Sequence, residues 1–172
     1  MLIVAEDVPK FLVLDERTVL ATTGRKDICD DVDCMAKQLI AAKGPVSGRF
    51  DPFVNELTRI IQKAFLTYSD QGPHLRFSAA LVAADDSAQR LRTVGWTDAT
   101  GLAPLEDAGD RLQLYAYGHD GQPAVDKLQR VLLTLVPLDE ISITHAMRQV
   151  ISDCAVSCPG INDRCFFHTI RL

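Results

Sequence analysis

The sequence lacks the features that mark several specialised classes of protein. It has no apolar run long enough to span a membrane, and its first residues lack the basic, apolar and small-residue order of a signal peptide. Its 18 basic residues are scattered among 23 acidic ones, so the chain has no basic patch for nucleic acid. Phosphate loops, dinucleotide fingerprints and Ser-His-Asp orderings are also missing. We therefore expect a cytoplasmic protein with no cofactor, no nucleic-acid partner and no membrane partner.

The cysteine content does not suit a disulfide framework. Five cysteines are an odd number, and without an export signal we expect free thiols that serve as small core residues. Zinc is the alternative, because a C-x3-C-x6-C-x2-H spacing supplies its usual ligand types, although it matches no common zinc finger. The candidate ligands of such a metal- or thiol-dependent binding module are Cys154, Cys158, Cys165 and His168.

The chain contains enough apolar material for one domain over residues 1–172. Hydrophobic residues make up 47% of the sequence, and no linker, repeat or low-complexity segment divides it. Two short apolar runs, Phe11–Leu14 and Thr18–Gly24, flank a charged turn and predict a hairpin. The spacing of apolar residues then predicts two amphipathic helices, one over 27–43 and one in which Asp51 is the N-cap and Pro52 the first helical residue.

The second half of the chain repeats the pattern of strands followed by helices. The predicted elements are a hairpin over 77–84 and 90–96, a loop over 98–110, a strand over 111–117, helices over 124–135 and 138–156, and a last strand over 164–171. This order favours an α+β fold of four layers, an α-β-β-α sandwich with two sheets face to face and a helix pair on each outer side.

The order and its local motifs resemble the proteasome-like subunits of the N-terminal-nucleophile hydrolase superfamily. The likeness covers Lys10 to Leu172, and its landmarks are Pro9-Lys-Phe-Leu-Val-Leu14, Val19-Leu-Ala-Thr-Thr-Gly24, the hairpin of 77–94, Tyr115-Ala-Tyr-Gly118, Val136-Pro-Leu-Asp-Glu140 and Cys158-Pro-Gly160. The resemblance implies the sandwich fold, shortened at its amino terminus. It also implies assembly of identical or related subunits into a ring-shaped, self-compartmentalising oligomer that receives a polypeptide substrate.

The resemblance also implies which residues would carry chemistry. In that family an amino-terminal threonine attacks the scissile carbonyl, and its own α-amino group accepts the proton. Asp7 and Lys10 match the aspartate and lysine that support this threonine, and Asp153 matches an acidic residue near the end of the last helix. The serine expected beside that acid falls on Val156, with Ser157 one position late.

The segment that would carry the threonine is short. Active subunits have two strands before the position of Lys10, whereas this chain has nine residues there. We therefore expect a catalytically degenerate subunit that acts in assembly. The alternative is an active threonine peptidase or amidohydrolase whose nucleophile lies outside the recorded chain. Thr22 could serve as a nucleophile only after cleavage behind Ala21, which would remove the predicted hairpin.

Overall fold

The alternating segments form one antiparallel sheet in the computed structural model, which describes residues 11–71, 75–107, 121–134, 136, 139–157 and 170. Five strands lie in the sheet in chain order, and both predicted hairpins are confirmed. The elements are β1 (Phe11–Asp15), β2 (Thr18–Gly24), α1 (Lys26–Lys43), α2 (Phe50–Thr67), β3 (Phe77–Asp85), β4 (Arg90–Thr97), β5 (Leu105–Asp107), α3 (Gly121–Thr134) and α4 (Glu140–Ser157), with short 3-10 turns at Ser69–Gln71 and Asp98–Thr100. The fold is therefore mixed α+β.

The described residues fall into two compact units. The first contains the whole sheet with α1 and α2, and the second contains α3 and α4. None of the helices in the described ranges combines the length and the apolar character that crossing a bilayer requires. The predicted strand over 111–117 lies outside the described residues, and so does the one over 164–171 except for Ile170, which is in neither a helix nor a strand.

One face of the sheet packs against α1 and α2. Leu20 pairs with Leu81, and Leu81 with Val94, so these three side chains form a row across the central strands and are almost fully buried. Trp96 lies on the same face, and its indole Nε1 donates a hydrogen bond of 2.9 Å to Thr58 Oγ1 of α2. The first unit therefore has a continuous apolar core between the sheet and this helix pair.

The opposite face of the sheet carries no charged residue along β2, β3 and β4 or in β1 up to Val13; the register of β1 shifts between Val13 and Asp15, and the Asp15 carboxylate accepts a hydrogen bond from the Val46 backbone N–H. Side chains alternate along a strand, so the positions between those that face the helices define this second face. They are Phe11, Val13, Val19, Ala21, Thr23, Ser78, Ala80, Val82, Ala84, Leu91, Thr93, Gly95 and Thr97. An antiparallel sheet with one solvated face normally places polar residues on it, and the polar residues among these positions are the hydroxyl side chains of Thr23, Ser78, Thr93 and Thr97.

Helix α2 begins differently from the prediction. The helix starts at Phe50, so Asp51 is its second residue and not its N-cap, and Pro52 is its third. Phe50 is 3% exposed, and the Arg92 guanidinium lies 4.0 Å from its ring centroid. Asp51 pairs with that same guanidinium at 2.8 Å. Burial of an aromatic ring and a tertiary ion pair therefore determine this helix start.

The loop predicted over 98–110 contains a strand that the sequence pattern did not reveal. Strand β5 is three residues long and pairs with β4, with Glu106 opposite Val94. Three residues are too few to display an alternation, and Glu106 reaches Arg92 from the face that packs against α2. The prediction of an unbroken loop was wrong, because this strand depends on its neighbour.

Gly24 provides a direct test of how β2 joins α1. Its φ is +123°, and a Cβ built there would lie 2.1 Å from the Arg76 carbonyl oxygen. We expect Gly24→Ala to lower the free energy of unfolding by at least about 2 kcal/mol, since both the backbone conformation and the close contact exclude a side chain. Urea unfolding followed by Trp96 fluorescence measures this loss.

Gly48→Ala is the matched control. A Cβ at Gly48 would meet no atom within 4 Å. We expect its effect on the free energy of unfolding to stay within about 0.5 kcal/mol. Equal stabilities for the two variants would contradict the steric account of Gly24.

Candidate functional site

Apart from Thr22 of β2, the structure describes three of the sequence-predicted site residues, and all three belong to α4. Asp153 and Cys154 lie in its last two turns, and Ser157 is its final residue. The other predicted site residues lie outside the described residues, and these are Asp7, Lys10, Cys158, Cys165 and His168. Within the described residues, the candidate site is therefore the α3–α4 pair.

Helices α3 and α4 pack through a small apolar core. Leu128 and Leu132 of α3 meet Ala146 and Val150 of α4, and all four are at least nine-tenths buried. Their spacings of four residues place each pair on one helix face. Cys154 lies one turn after Val150 and is half-buried against this core. Its placement agrees with the prediction of a small core residue.

Asp153 is engaged on both of its carboxylate oxygens. Lys127 of α3 donates to Oδ2, and Gln149, one turn earlier on α4, donates to Oδ1 at 2.8 Å. The hydrogen bonds from Lys127 and then Gln149 hold the pKa of Asp153 below its usual range. The carboxylate is therefore ionised at neutral pH and braces α3 against α4.

The position at which the family resemblance expects a serine is occupied by an exposed apolar side chain. Val156, three residues after Asp153, is 90% exposed. Ser157 follows it at the end of α4, one helical turn from Asp153. The described part of the predicted site therefore consists of an ion pair and an exposed valine.

The zinc interpretation has little support within the described residues. No group of three or more histidine, cysteine, aspartate or glutamate residues is arranged there to hold a metal ion. Three of the four proposed ligands lie outside the described part of the chain, so the metal site stays a prediction.

A cluster of polar groups that sequence reasoning missed lies between β2 and α1. Thr22 Oγ1 donates to Asp33 Oδ1 at 3.2 Å, and Cys29 lies one turn before Asp33 on the helix. Burial raises the pKa of the Asp33 carboxyl and of the Cys29 thiol. A thiol with a raised pKa is protonated at neutral pH and is a weak nucleophile. Thr22 pairs with Ala79 within the sheet, so cleavage before it would interrupt a central strand.

Cys34 departs from the predicted role of the cysteines. It is exposed on α1, whose buried stripe is formed by Ile28, Val32 and Ala36. Two residues after Val32, a side chain is rotated by about 200° around the helix axis, which places Cys34 on the opposite face. The prediction that all five cysteines are core residues was therefore wrong for Cys34.

A cluster of three ion pairs is centred on Arg92 of β4. Its guanidinium is 2.8 Å from Asp85, 2.8 Å from Asp51 and 2.6 Å from Glu106. The Arg92 side chain is 13% exposed, and its partners come from β3, α2 and β5. Hydrogen bonds from Ser87 and then Arg92 lower the pKa of Asp85 to about 2. The cluster therefore joins β3, β4, β5 and α2, and each of the three carboxylates makes an ion pair with the Arg92 guanidinium.

Loss of the Arg92 guanidinium should destabilise the first unit. We expect Arg92→Ala to lower the free energy of unfolding by roughly 3 kcal/mol or more, because it leaves the buried Asp85 carboxylate without its cation. Arg90→Ala is the control, since Arg90 is 42% exposed and lies 3.9 Å from Glu106. That variant should lose less than about 1 kcal/mol. If urea unfolding gave equal losses of unfolding free energy for the two variants, the ion pairs of Arg92 would contribute no more to stability than the exposed contact of Arg90.

The Asp85 carboxylate should also make stability dependent on acid. Its pKa is depressed in the folded chain, so its contribution is complete above about pH 4, the range of an unfolded aspartate, and is lost as the pH falls towards 2. We expect the melting temperature of the wild type to fall over that interval and that of Asp85→Asn to fall less steeply. Parallel melting curves against pH would refute this assignment.

Comparison with protein families and with curated proteins identifies no relative of this chain. No protein-family model and no curated protein matches the chain. The resemblance to proteasome-like subunits therefore stays a prediction from the sequence landmarks.

Proposed function

We propose that this chain is a catalytically degenerate, proteasome-like subunit that serves as a structural member of a self-compartmentalising oligomer. The observation that carries the proposal is the exposure of large apolar side chains around α3 and α4. Leu133, Val136, Ile141 and Val156 are each exposed by 80% to 91%, whereas the other exposed large apolar side chains among the described residues reach 42% to 67%. Apolar surface of this kind marks sites of protein–protein contact.

The uncharged second face of the sheet supports the layered architecture in this proposal. Ala80 and Ala84 on β3 are 5% and 0% exposed, and the residues around them on this face include Val19 and Val82. Helices α1 and α2 occupy the other face, so a second sheet is the element that would best cover this one. We propose the four-layer α-β-β-α sandwich on this basis.

The environment of Asp153 supports the proposal that the subunit is catalytically degenerate. Here Lys127 and Gln149 each engage one oxygen of Asp153, and Val156 replaces the expected serine. These contacts favour a bracing role over support of a nucleophile.

Imaging and activity measurements on the same preparation test the proposal. Negative-stain images and light scattering should show closed oligomers, and fluorogenic peptides should remain uncleaved while an active proteasome core particle cleaves them. A monomer at all concentrations would refute the assembly role. Peptide hydrolysis that is abolished by a covalent inhibitor of amino-terminal nucleophiles would instead establish the active threonine peptidase.

A further inference from the structure

Strand β5 is held at the edge of the sheet by few contacts. It is the outermost of the described strands, three residues long, and it pairs with residues 93–95 of β4. Its Leu105 side chain is 54% exposed, and the neighbouring Pro104 and Glu106 are exposed as well. Little apolar surface is therefore buried when β5 joins the sheet, and segments of this kind open more readily than the core on which they lie.

The chain just before β5 is fixed by a tight turn and a buried side chain. Gly101 and Leu102 both lie in the left-handed region, with φ of +66° and +60°. The Leu102 side chain is 4% exposed in the first core, and its backbone N–H donates to the Thr97 carbonyl oxygen at 3.0 Å. This conformation is uncommon for a leucine and persists where the surroundings hold it. The segment that can move therefore begins after Leu102 and contains residues 103–107.

A two-pronged ion pair joins this segment to β4. Arg92 Nε and Nη2 donate to Glu106 Oε1 and Oε2 at 2.6 and 2.7 Å, and Arg90 Nη2 lies 3.9 Å from the same Oε1. Arg92 has two further carboxylate partners, Asp85 and Asp51, each at 2.8 Å. A Glu106 carboxylate that leaves the pair enters water, because it already lies at the surface. The pair can therefore break without leaving the Arg92 guanidinium unpaired.

We propose that residues 103–107 form a hinged strap that detaches from the edge of β4 and closes again while the rest of the first unit stays folded. The turn at Gly101 and Leu102 is the hinge, and the ion pair between Arg92 and Glu106 is the latch. Strand β5 is the last described element of the first unit before α3 of the second. Opening therefore lets the chain leave the sheet at Leu102 and uncovers the edge of β4. This device is independent of the proposed function.

Hydrogen exchange of single amides tests the strap. Exchange is followed by NMR on the wild type over a series of urea concentrations below the unfolding transition. The amides that bond across the β4–β5 pair should share one opening constant, at least about 100-fold larger than that of the β2–β3 amides. Their exchange should also depend less on urea, since a local opening exposes little surface. Exchange of the β4–β5 amides through global unfolding alone would overturn the proposal.

Glu106→Gln tests the latch. The substitution removes one charge of the ion pair and keeps the size of the side chain, so the opening constant of the β4–β5 amides should rise at least about fivefold. Glu16→Gln is the matched control, because Glu16 is exposed in the turn between β1 and β2 and its substitution removes the same charge. That variant should open as the wild type does. Equal opening constants in the two variants would overturn the latch and, with it, the proposal, whereas the oligomeric state and peptide hydrolysis test the proposed function separately.

Discussion

Strand β3 carries no charged side chain from Phe77 to Ala84, and the rest of the sheet depends on this constraint. The side chains of β3 alternate between the two faces of the sheet. Because they are uncharged on both, each face of this interior strand is suited to packing against other apolar residues. Helices α1 and α2 cover the face that includes Leu81 and Ala83. The other face, with Ala80 and Val82, is equally uncharged, which is the physical basis for proposing a second sheet.

Ion pairs connect helices and strands at the edges of the apolar cores. Arg92 joins the ends of β3, α2 and β5 beside the first core, and Lys127 with Asp153 braces α3 against α4. Hydrogen bonds from neighbouring side chains, Arg92 and Lys127 among them, lower the pKa of Asp85 and of Asp153. Satisfied carboxylates stabilise geometry, and they are poorly suited to accept a proton during catalysis.

Local patterns were sufficient to predict most of the secondary structure. The helices and both hairpins follow from periodicity and turn residues, and such signals lie within a few residues of each other. Strand β5 could not be found in this way, because Glu106 is held in place by Arg92, 14 positions earlier. The start of α2 was misplaced for the same reason, since Phe50 and Asp51 are both held by the Arg92 side chain.

The sequence by itself determined the α+β class, the order of strands and helices, and the resemblance that gives Asp153 its proposed place. Only the tertiary structure decided what Asp153 contacts, which face of the sheet lacks charge, and that Ile141 and Val156 are exposed. The physical reason is that secondary structure arises from neighbouring residues with a common period. Burial and ion pairing instead join residues that are distant in the chain, and no local pattern specifies their distances.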